Sequence, residues 1–155
     1  MTSPTLHERI TNPAVSLPGA MDGLIAAGRA ATSHIPTRLR DLINLRASQL
    51  NGCSVCVHSH ARDLKRAGET DERVFAVAAW RDAPFFTDAE RAALALTEAV
   101  TRLADSTDAV PDQLWTEVSK HYDQNEVASI VLSIGLINLW NRLNVTTRQV
   151  AGQAW

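Results

Sequence analysis

Long apolar runs and runs of one charge are both missing from this 155-residue sequence. No stretch approaches the roughly 20 apolar residues of a membrane-spanning helix, and residues 1–10 lack the apolar core of a secretory signal. The net charge is only −2, and no basic face stands out, which argues against nucleic acid as a partner. We therefore expect a cytoplasmic protein that binds neither membrane nor nucleic acid.

Signals for β-strands are also scarce, because alternating patterns are rare and β-branched residues are dispersed. Signals for helices are frequent instead. The predicted helices cover residues 21–33, 36–51, 53–67, 70–80, 89–103, 112–118 and 125–148, and residues 1–17 are expected to be irregular. Gly52 and Gly68 are stop signals, and Thr87-Asp-Ala-Glu90 is a capping box. The sequence predicts an all-α fold of six or seven helices, in a single domain over residues 1–155 with its core in roughly residues 20–150.

Three features of this helical scaffold bear on packing. Gly135 lies inside the last predicted helix and suggests close helix packing there. Asn138, Asn141 and Arg142 cluster on the same helix, where they line either a pocket or a solvated face. The tryptophans, which are expected in the core or at a subunit interface, are Trp80, Trp115, Trp140 and Trp155. Long Ala-rich helices with four tryptophans carry more apolar surface than one layer buries, so we expect an oligomer.

Only two cysteines are present, and they stand close together. Cys53 and Cys56 are three apart, and His60 lies four residues beyond Cys56. At about 100° per residue, all three share one face of a helix. The stop at Gly52 puts the cysteines in the first turn of that helix, where unpaired N–H groups and the helix dipole favour a thiolate. In the cytoplasm such a pair is more often catalytic or metal-binding than structural.

The chemistry that fits this pattern is redox chemistry. A thiolate attacks a peroxide or a disulfide, and a second thiol one turn away resolves the resulting sulfenic acid to a disulfide. His60 lies one turn after Cys56, whereas the residue one turn after Cys53 is Val57, so the spacing predicts that Cys56 attacks and Cys53 resolves. Two other interpretations stay open: a pair of buried apolar cysteines, or a zinc site formed by Cys53, Cys56 and His60.

A longer pattern around the pair resembles the carboxymuconolactone decarboxylase superfamily, and more narrowly its alkylhydroperoxidase D (AhpD)-like branch. That pattern is an acidic residue, eleven intervening residues and then C-x-x-C-x-x-x-H, and here it runs from Asp41 to His60. The resemblance continues through residues 68–80, 85–98 and 137–143. It covers roughly residues 20–150, which is nearly the whole chain.

The resemblance implies an all-helical fold that assembles as a trimer or hexamer and reduces hydroperoxides. By this resemblance Cys56 is the cysteine that reacts with peroxide, Cys53 its resolving partner and His60 the proton relay. Asp41 takes the place of the usual Glu as relay acid, and Val55 stands where the best-studied type has His. No bound cofactor is implied, because the electrons come from an external dithiol, such as a thioredoxin-like or lipoyl-type donor.

Two functions of other classes remain as alternatives. The first is a lyase of the decarboxylase branch, in which the cysteines are incidental. The second is a non-catalytic assembly or stress-response protein that retains the fold. The cysteine pair with its histidine on one helix favours the thiol-dependent peroxidase over both.

Overall fold

The computed structural model describes residues 6–153, and every regular element in that range is helical. The α-helices are α1 (Pro13–Ser16), α2 (Ala20–Ala31), α3 (Thr37–Asn51), α4 (Ser54–Arg66), α5 (Asp71–Ala76), α6 (Asp88–Thr101), α7 (Asp112–Ser119) and α8 (Gln124–Thr147). Two 3₁₀ segments, Val77–Asp82 and Leu103–Asp105, follow α5 and α6. The all-α prediction is confirmed.

Helix ends follow local capping signals in most places. The predicted capping box at Thr87 and Glu90 opens α6, and a second box at Asp123 and Glu126 opens α8. The helix predicted from residue 70 is shorter than expected, because it leaves α-helical geometry after Ala76 and continues as the first 3₁₀ segment. The prediction of an irregular N-terminus is wrong for α1, which begins where Asn12 Oδ1 accepts a hydrogen bond from the Ala14 N–H.

Helix α3 lies at the centre of the fold and packs against α4, α6 and α8. One apolar cluster joins α3 to α6, α7 and α8, and its fully buried members are Ile43, Ala93, Leu96, Val118, Ile130 and Ile134. A second joins α3 to α4, α5, α6 and the first 3₁₀ segment, through Leu42, Leu45, Leu64, Val74, Val77, Trp80, Phe86 and Leu94. Burial of apolar side chains on this scale stabilises a fold that is built from helices. The central helix is therefore a rigid base for the site at its C-terminal end.

The outer face of α8 carries apolar side chains that the rest of the chain leaves exposed. They are Val131, Leu132, Leu139 and Val145, each between 38% and 46% exposed. Gly135 lies on the same face, and a Cβ built there meets no atom within 4 Å. Close packing at Gly135 within the chain is therefore a wrong prediction. We call this surface the outer face of α8.

The tryptophans differ in burial. Trp80 is in the core, Trp140 is half-buried, Trp115 is 47% exposed, and Trp155 lies outside the described residues. No helix within residues 6–153 combines the length and the apolar character needed to cross a membrane.

Candidate active site

A tight turn between α3 and α4 places the cysteines. Gly52 ends α3 with φ 66°, in the left-handed region that favours glycine. The N–H of Gly52 donates to the Gln49 carbonyl and the N–H of Cys53 to the Ser48 carbonyl, as in a Schellman motif. Cys53 is thereby the N-cap of α4, and Cys56 is its third residue. The cysteine pair stands at the start of a helix, as its sequence context predicts.

The two thiols are buried and in contact. Their Sγ atoms are 3.0 Å apart, and the exposed fractions are 1% for Cys53 and 5% for Cys56. Both are free thiols that pack against Ala47 of α3 and Ile137 of α8. Because a disulfide bond is about 2.05 Å long, the sulfurs need to approach by only about 1 Å to form one.

Ionisation is shared unequally within the pair. The pKa of Cys53 is lowered to about 6, chiefly because the Cys56 thiol donates to it, with help from the backbone N–H of Cys56 and against the effect of burial. The pKa of Cys56 is raised far above its usual value, because it keeps the shared proton and is buried. The singly ionised pair therefore shares one proton, and the negative charge is favoured on Cys53 over Cys56.

An asparagine side chain completes the surroundings of Cys56. Asn144 Nδ2 donates to Cys56 Sγ at 3.2 Å, and Asn144 Oδ1 accepts from Asn12 Nδ2 at 2.7 Å. Both asparagines are buried, at 3% and 1% exposed. The segment before α1 thus fixes the orientation of the amide that faces the sulfur. Sequence reasoning missed both residues, although asparagine recurs at 138, 141 and 144 on α8.

The other α8 asparagines join α8 to α3, and Asn141 also lowers the pKa of both cysteines through side-chain hydrogen bonding. Asn141 Nδ2 donates to Ser48 Oγ, and Asn51 Nδ2 donates to the side-chain oxygens of Asn138 and Asn141. Both α8 residues are buried, so neither lies on a solvated face, while Arg142 donates to the Asn138 carbonyl. These bonds tie the last turn of α3 to α8 and hold the two helices that flank the thiols.

His60 and Asp41 form a second group next to the pair. His60 Nδ1 lies 3.4 Å from Asp41 Oδ1, and Asp41 is 2% exposed. The Arg40 guanidinium donates twice to the same carboxylate oxygen. Among residues 6–153, neither His60 nor Asp41 hydrogen-bonds to a cysteine sulfur. The structure therefore brings the predicted relay acid to the predicted relay histidine, and His60 lines the same pocket as Cys56.

The possible metal ligands at the site differ from the predicted set. Ligand atoms of Asp41, His60 and Asp63 lie within 4.8 Å of one another, whereas the predicted zinc ligands were the two cysteines and His60. Guanidinium groups already neutralise both carboxylates of this trio, since Arg40 binds Asp41 and Arg66 binds Asp63. Charge neutralisation of this kind makes the trio a poor site for a divalent cation.

Two cavities meet at the cysteine pair. The large pocket, of about 800 Å³, lies between α2, α4 and α8 and is lined by Cys56 and His60 among others. The small pocket, of about 480 Å³, lies between the start of α4, the end of α8 and the segments at residues 6–7 and 148–151, and Cys53 lines it. Asn144 lines both pockets. Each sulfur-bearing residue thus borders a different cavity.

The large pocket has both apolar and basic lining residues. Its apolar lining includes Met21, Ile25, Leu136, Ile137 and Trp140, and its arginines are Arg29, Arg40, Arg62 and Arg66. Apolar walls with a few convergent polar groups are typical of sites for small organic molecules. Cys56 and His60 therefore face a cavity that can hold an organic substrate.

Comparisons with known proteins show which family and fold this chain resembles. The profile of the carboxymuconolactone decarboxylase family matches residues 18–99. The uncharacterised protein YdfG of Bacillus subtilis (strain 168) is 39% identical over 113 residues, which are 73% of this chain and 76% of YdfG. Among solved structures, a protein of unknown function from Agrobacterium tumefaciens, provisionally described as the antioxidant defence protein AhpD, is 33% identical. The two structures superpose with a TM-score of 0.87, and the match covers 96% of this chain and 100% of the Agrobacterium chain.

A second solved structure, the debrominase Bmp8, shares the fold at 25% identity and a TM-score of 0.73, over 85% of this chain and 70% of that one. The family match and the AhpD-like neighbours together support a peroxidase-related role. With the cysteine pair at the start of α4 and an all-helical fold around it, the chain belongs to the carboxymuconolactone decarboxylase family and to its AhpD-like branch.

Proposed function

We propose that this protein is a thiol-dependent hydroperoxide reductase that cycles between dithiol and disulfide. The observation that carries the proposal is the buried contact between two free thiols, 3.0 Å apart, one of which borders a large pocket. A lyase of the decarboxylase branch has no use for two sulfurs that share one proton. A non-catalytic protein gains little from a buried thiolate, because an uncompensated buried charge costs stability.

In the oxidation step, a hydroperoxide in the large pocket meets Cys56. The Cys56 proton passes to the Cys53 thiolate across the 3.0 Å contact, and the Cys56 thiolate attacks one peroxide oxygen. A sulfur–oxygen bond forms, the oxygen–oxygen bond breaks, and the alkoxide leaves with a proton as an alcohol. His60, which lines the same pocket 3.4 Å from Asp41, supplies that proton. In this scheme Cys53 serves as the base for Cys56. The neighbouring Val55 cannot do so, because its side chain has no group that accepts a proton.

In the resolving step, Cys53 attacks the sulfenic sulfur of Cys56. The sulfur–sulfur bond forms, the sulfur–oxygen bond breaks, and hydroxide leaves as water with the Cys53 proton. The cycle so far converts two thiols and one hydroperoxide to a disulfide, an alcohol and water. An external dithiol then restores the pair, so no bound cofactor is needed, and a reducing compartment such as the cytoplasm suits the cycle.

Consumption of an organic hydroperoxide in the presence of dithiothreitol tests the proposal. We expect turnover by the wild type and none by Cys56→Ser. Cys53→Ser lacks both the base and the resolving thiol, so it should form one equivalent of sulfenic acid on Cys56 more slowly than the wild type, detectable with a dimedone label, and then stall. His60→Ala should slow the reaction by about 10²-fold or more. That factor is the lower end of the range that general acid–base catalysis contributes.

Ser119→Ala is the matched control, because it removes one hydroxyl from an exposed residue that lines neither pocket. It should turn over at the wild-type rate. Turnover that persists in Cys56→Ser would refute the function. A dimedone label on Cys53 in Cys56→Ser, with none on Cys56 in Cys53→Ser, would reverse the two roles.

A further inference from the structure

The two cysteines border different cavities. Cys56 lines the large pocket and not the small one, whereas Cys53 lines the small pocket and not the large one. If both cysteines lay at the bottom of one cleft, the same ligand could reach both sulfurs. Here the surroundings distinguish the two sulfurs before any ligand binds.

Thiol–disulfide exchange makes that difference matter. An attacking thiolate approaches a disulfide sulfur in line with the sulfur–sulfur bond, from the side opposite the leaving sulfur. A reductant that attacks Cys53 must therefore arrive from a side that Cys56 does not occupy. Of the two pockets at the site, the small one is lined by Cys53 and not by Cys56, and the large one by Cys56 and not by Cys53.

We propose that the reductant enters through the small pocket, as a small dithiol with an aliphatic body that attacks Cys53, while the hydroperoxide uses the large pocket. This inference rests on the proposed function. In the first exchange a bond forms between the donor sulfur and Cys53 Sγ, and the Cys53–Cys56 bond breaks. Cys56 leaves as a thiolate and takes up a proton. The second donor thiol then closes a cyclic disulfide on the donor and releases Cys53, so two electrons and two protons have moved.

The lining of the small pocket fits such a donor. Leu6, Val145, Val150 and Ala151 give it an apolar wall, and its volume of about 480 Å³ suits a molecule of a few carbon atoms. Arg148 stands at the same pocket, and its guanidinium forms no salt bridge within residues 6–153. A nearby positive charge favours the thiolate form of the donor, which is the reactive one.

Blocking each pocket separately tests the assignment. Val145 is 46% exposed on α8 and lines the small pocket, so Val145→Trp fills that pocket from a surface position. Gly28 lines the large pocket, and a Cβ built there meets no atom within 4 Å, so Gly28→Trp fills the other. Thr146→Trp is the matched control, because Thr146 is exposed on the same turn of α8 and lines neither pocket.

Two rates are measured for each protein: reduction of the diamide-oxidised protein by dithiothreitol, and oxidation of the reduced protein by cumene hydroperoxide. Val145→Trp should lower the ratio of reduction to oxidation by about tenfold or more, and Gly28→Trp should raise it by a similar factor, each corresponding to a barrier change of about 1.4 kcal/mol. Thr146→Trp should keep the wild-type ratio. An unchanged ratio in Val145→Trp, or a fall in Gly28→Trp, would overturn the proposal.

A single-thiol experiment checks the same point without peroxide. In Cys56→Ser, the remaining Cys53 should react with dipyridyl disulfide at a rate that Val145→Trp lowers and Gly28→Trp does not. In Cys53→Ser, the remaining Cys56 should show the opposite sensitivity. If peroxide never oxidises the protein but each thiol still responds only to the variant that blocks its own pocket, the proposed function is refuted and the two separate entrances are supported. If peroxide is consumed but the same blocking variant slows the reaction of both thiols, the proposal of two separate entrances is refuted and the proposed function is supported.

Discussion

Removal of the amide at Asn144 is predicted to make the cysteine pair harder to ionise. Asn144 Nδ2 lies 3.2 Å from Cys56 Sγ. The Cys56 thiol is the chief cause of the lowered pKa of Cys53, and the Asn144 amide adds to it. The proposed variant is Asn144→Leu, which keeps the size of the side chain and removes the donor.

The cysteine pair is anionic as a unit when it shares one proton, and the Asn144 amide lowers the pKa of both cysteines. The magnitude therefore follows from the strength of a hydrogen bond to a charged group. Such a bond contributes about 1.5–3 kcal/mol, and about 1.4 kcal/mol corresponds to one pKa unit. Asn144→Leu should therefore raise the pKa of the pair from about 6 by about one to two units. At pH 7 the ionised fraction falls from about 90% to about 10–50%.

The assay is the rate of alkylation by iodoacetamide as a function of pH. The rate of Asn144→Leu should be about two- to tenfold below wild type at pH 7, in proportion to the thiolate. The two curves should converge above about pH 9, where both proteins are ionised. A purely structural defect would lower the rate at every pH, so convergence is the diagnostic result.

Asn12→Ala is the matched control for this experiment. It also removes the Asn12–Asn144 hydrogen bond of 2.7 Å, but it keeps the amide that faces the sulfur. Both variants should lose stability, because each breaks a buried polar pair, at a cost of about 1–3 kcal/mol. Only Asn144→Leu should show the full shift in pKa. An equal shift in both variants, or none in Asn144→Leu while it remains folded, would refute the reasoning.

Three further outcomes are expected. The wild-type alkylation rate should rise through a midpoint near pH 6, because the thiolate on Cys53 exists above that pH and is lost below it; a midpoint near 9 would contradict the shared proton. Gly52→Ala should destabilise the fold by about 1–2 kcal/mol in chemical denaturation, since φ there is 66°, whereas Gly23→Ala, inside α2 with open space at its Cβ, should stabilise it by about 0.5–1 kcal/mol. Sedimentation should show a trimer or hexamer that Leu132→Glu with Leu139→Glu shifts to smaller species, because both side chains are exposed on the outer face of α8; a wild-type monomer at micromolar concentration would contradict this.

Local signals explain why much of the fold could be predicted from the sequence. The stop at Gly52 and the capping box at Thr87 act within a few residues, and the structure retains both. Distant partners explain the misses. Helix α1 depends on Asn12, whose amide binds Asn144, 132 residues away in the chain. The change to 3₁₀ geometry after Ala76 accompanies bonds from Trp80 and Arg81 to Glu98 on α6.

The candidate site shows the same division between local and distant information. The placement of Cys56 and His60 on one helix, with Cys53 at its start as the N-cap, follows from the spacing and the stop at Gly52. Their electrostatics do not, because the charge on Cys53 depends on how the sulfurs turn toward each other at the helix start. The two pockets depend on residues from both ends of the chain, such as Met21 at the large one and Val150 at the small one.

The position of Asn144 connects these features. It lines both pockets and donates to Cys56, so it lies between the proposed entrances for oxidant and reductant. When the pair is oxidised, neither sulfur carries a charge and the amide loses its anionic acceptor. When reduction restores the singly ionised pair, an anionic acceptor returns, and Asn144 Nδ2 lies 3.2 Å from its Cys56 Sγ. The amide therefore stabilises the reduced pair relative to the disulfide, and Asn144→Leu should make the disulfide harder to reduce as well as the thiols harder to ionise. A redox titration against dithiothreitol should accordingly give a lower reduction potential for Asn144→Leu than for Asn12→Ala, and equal potentials would mean that the amide does not act on the sulfur.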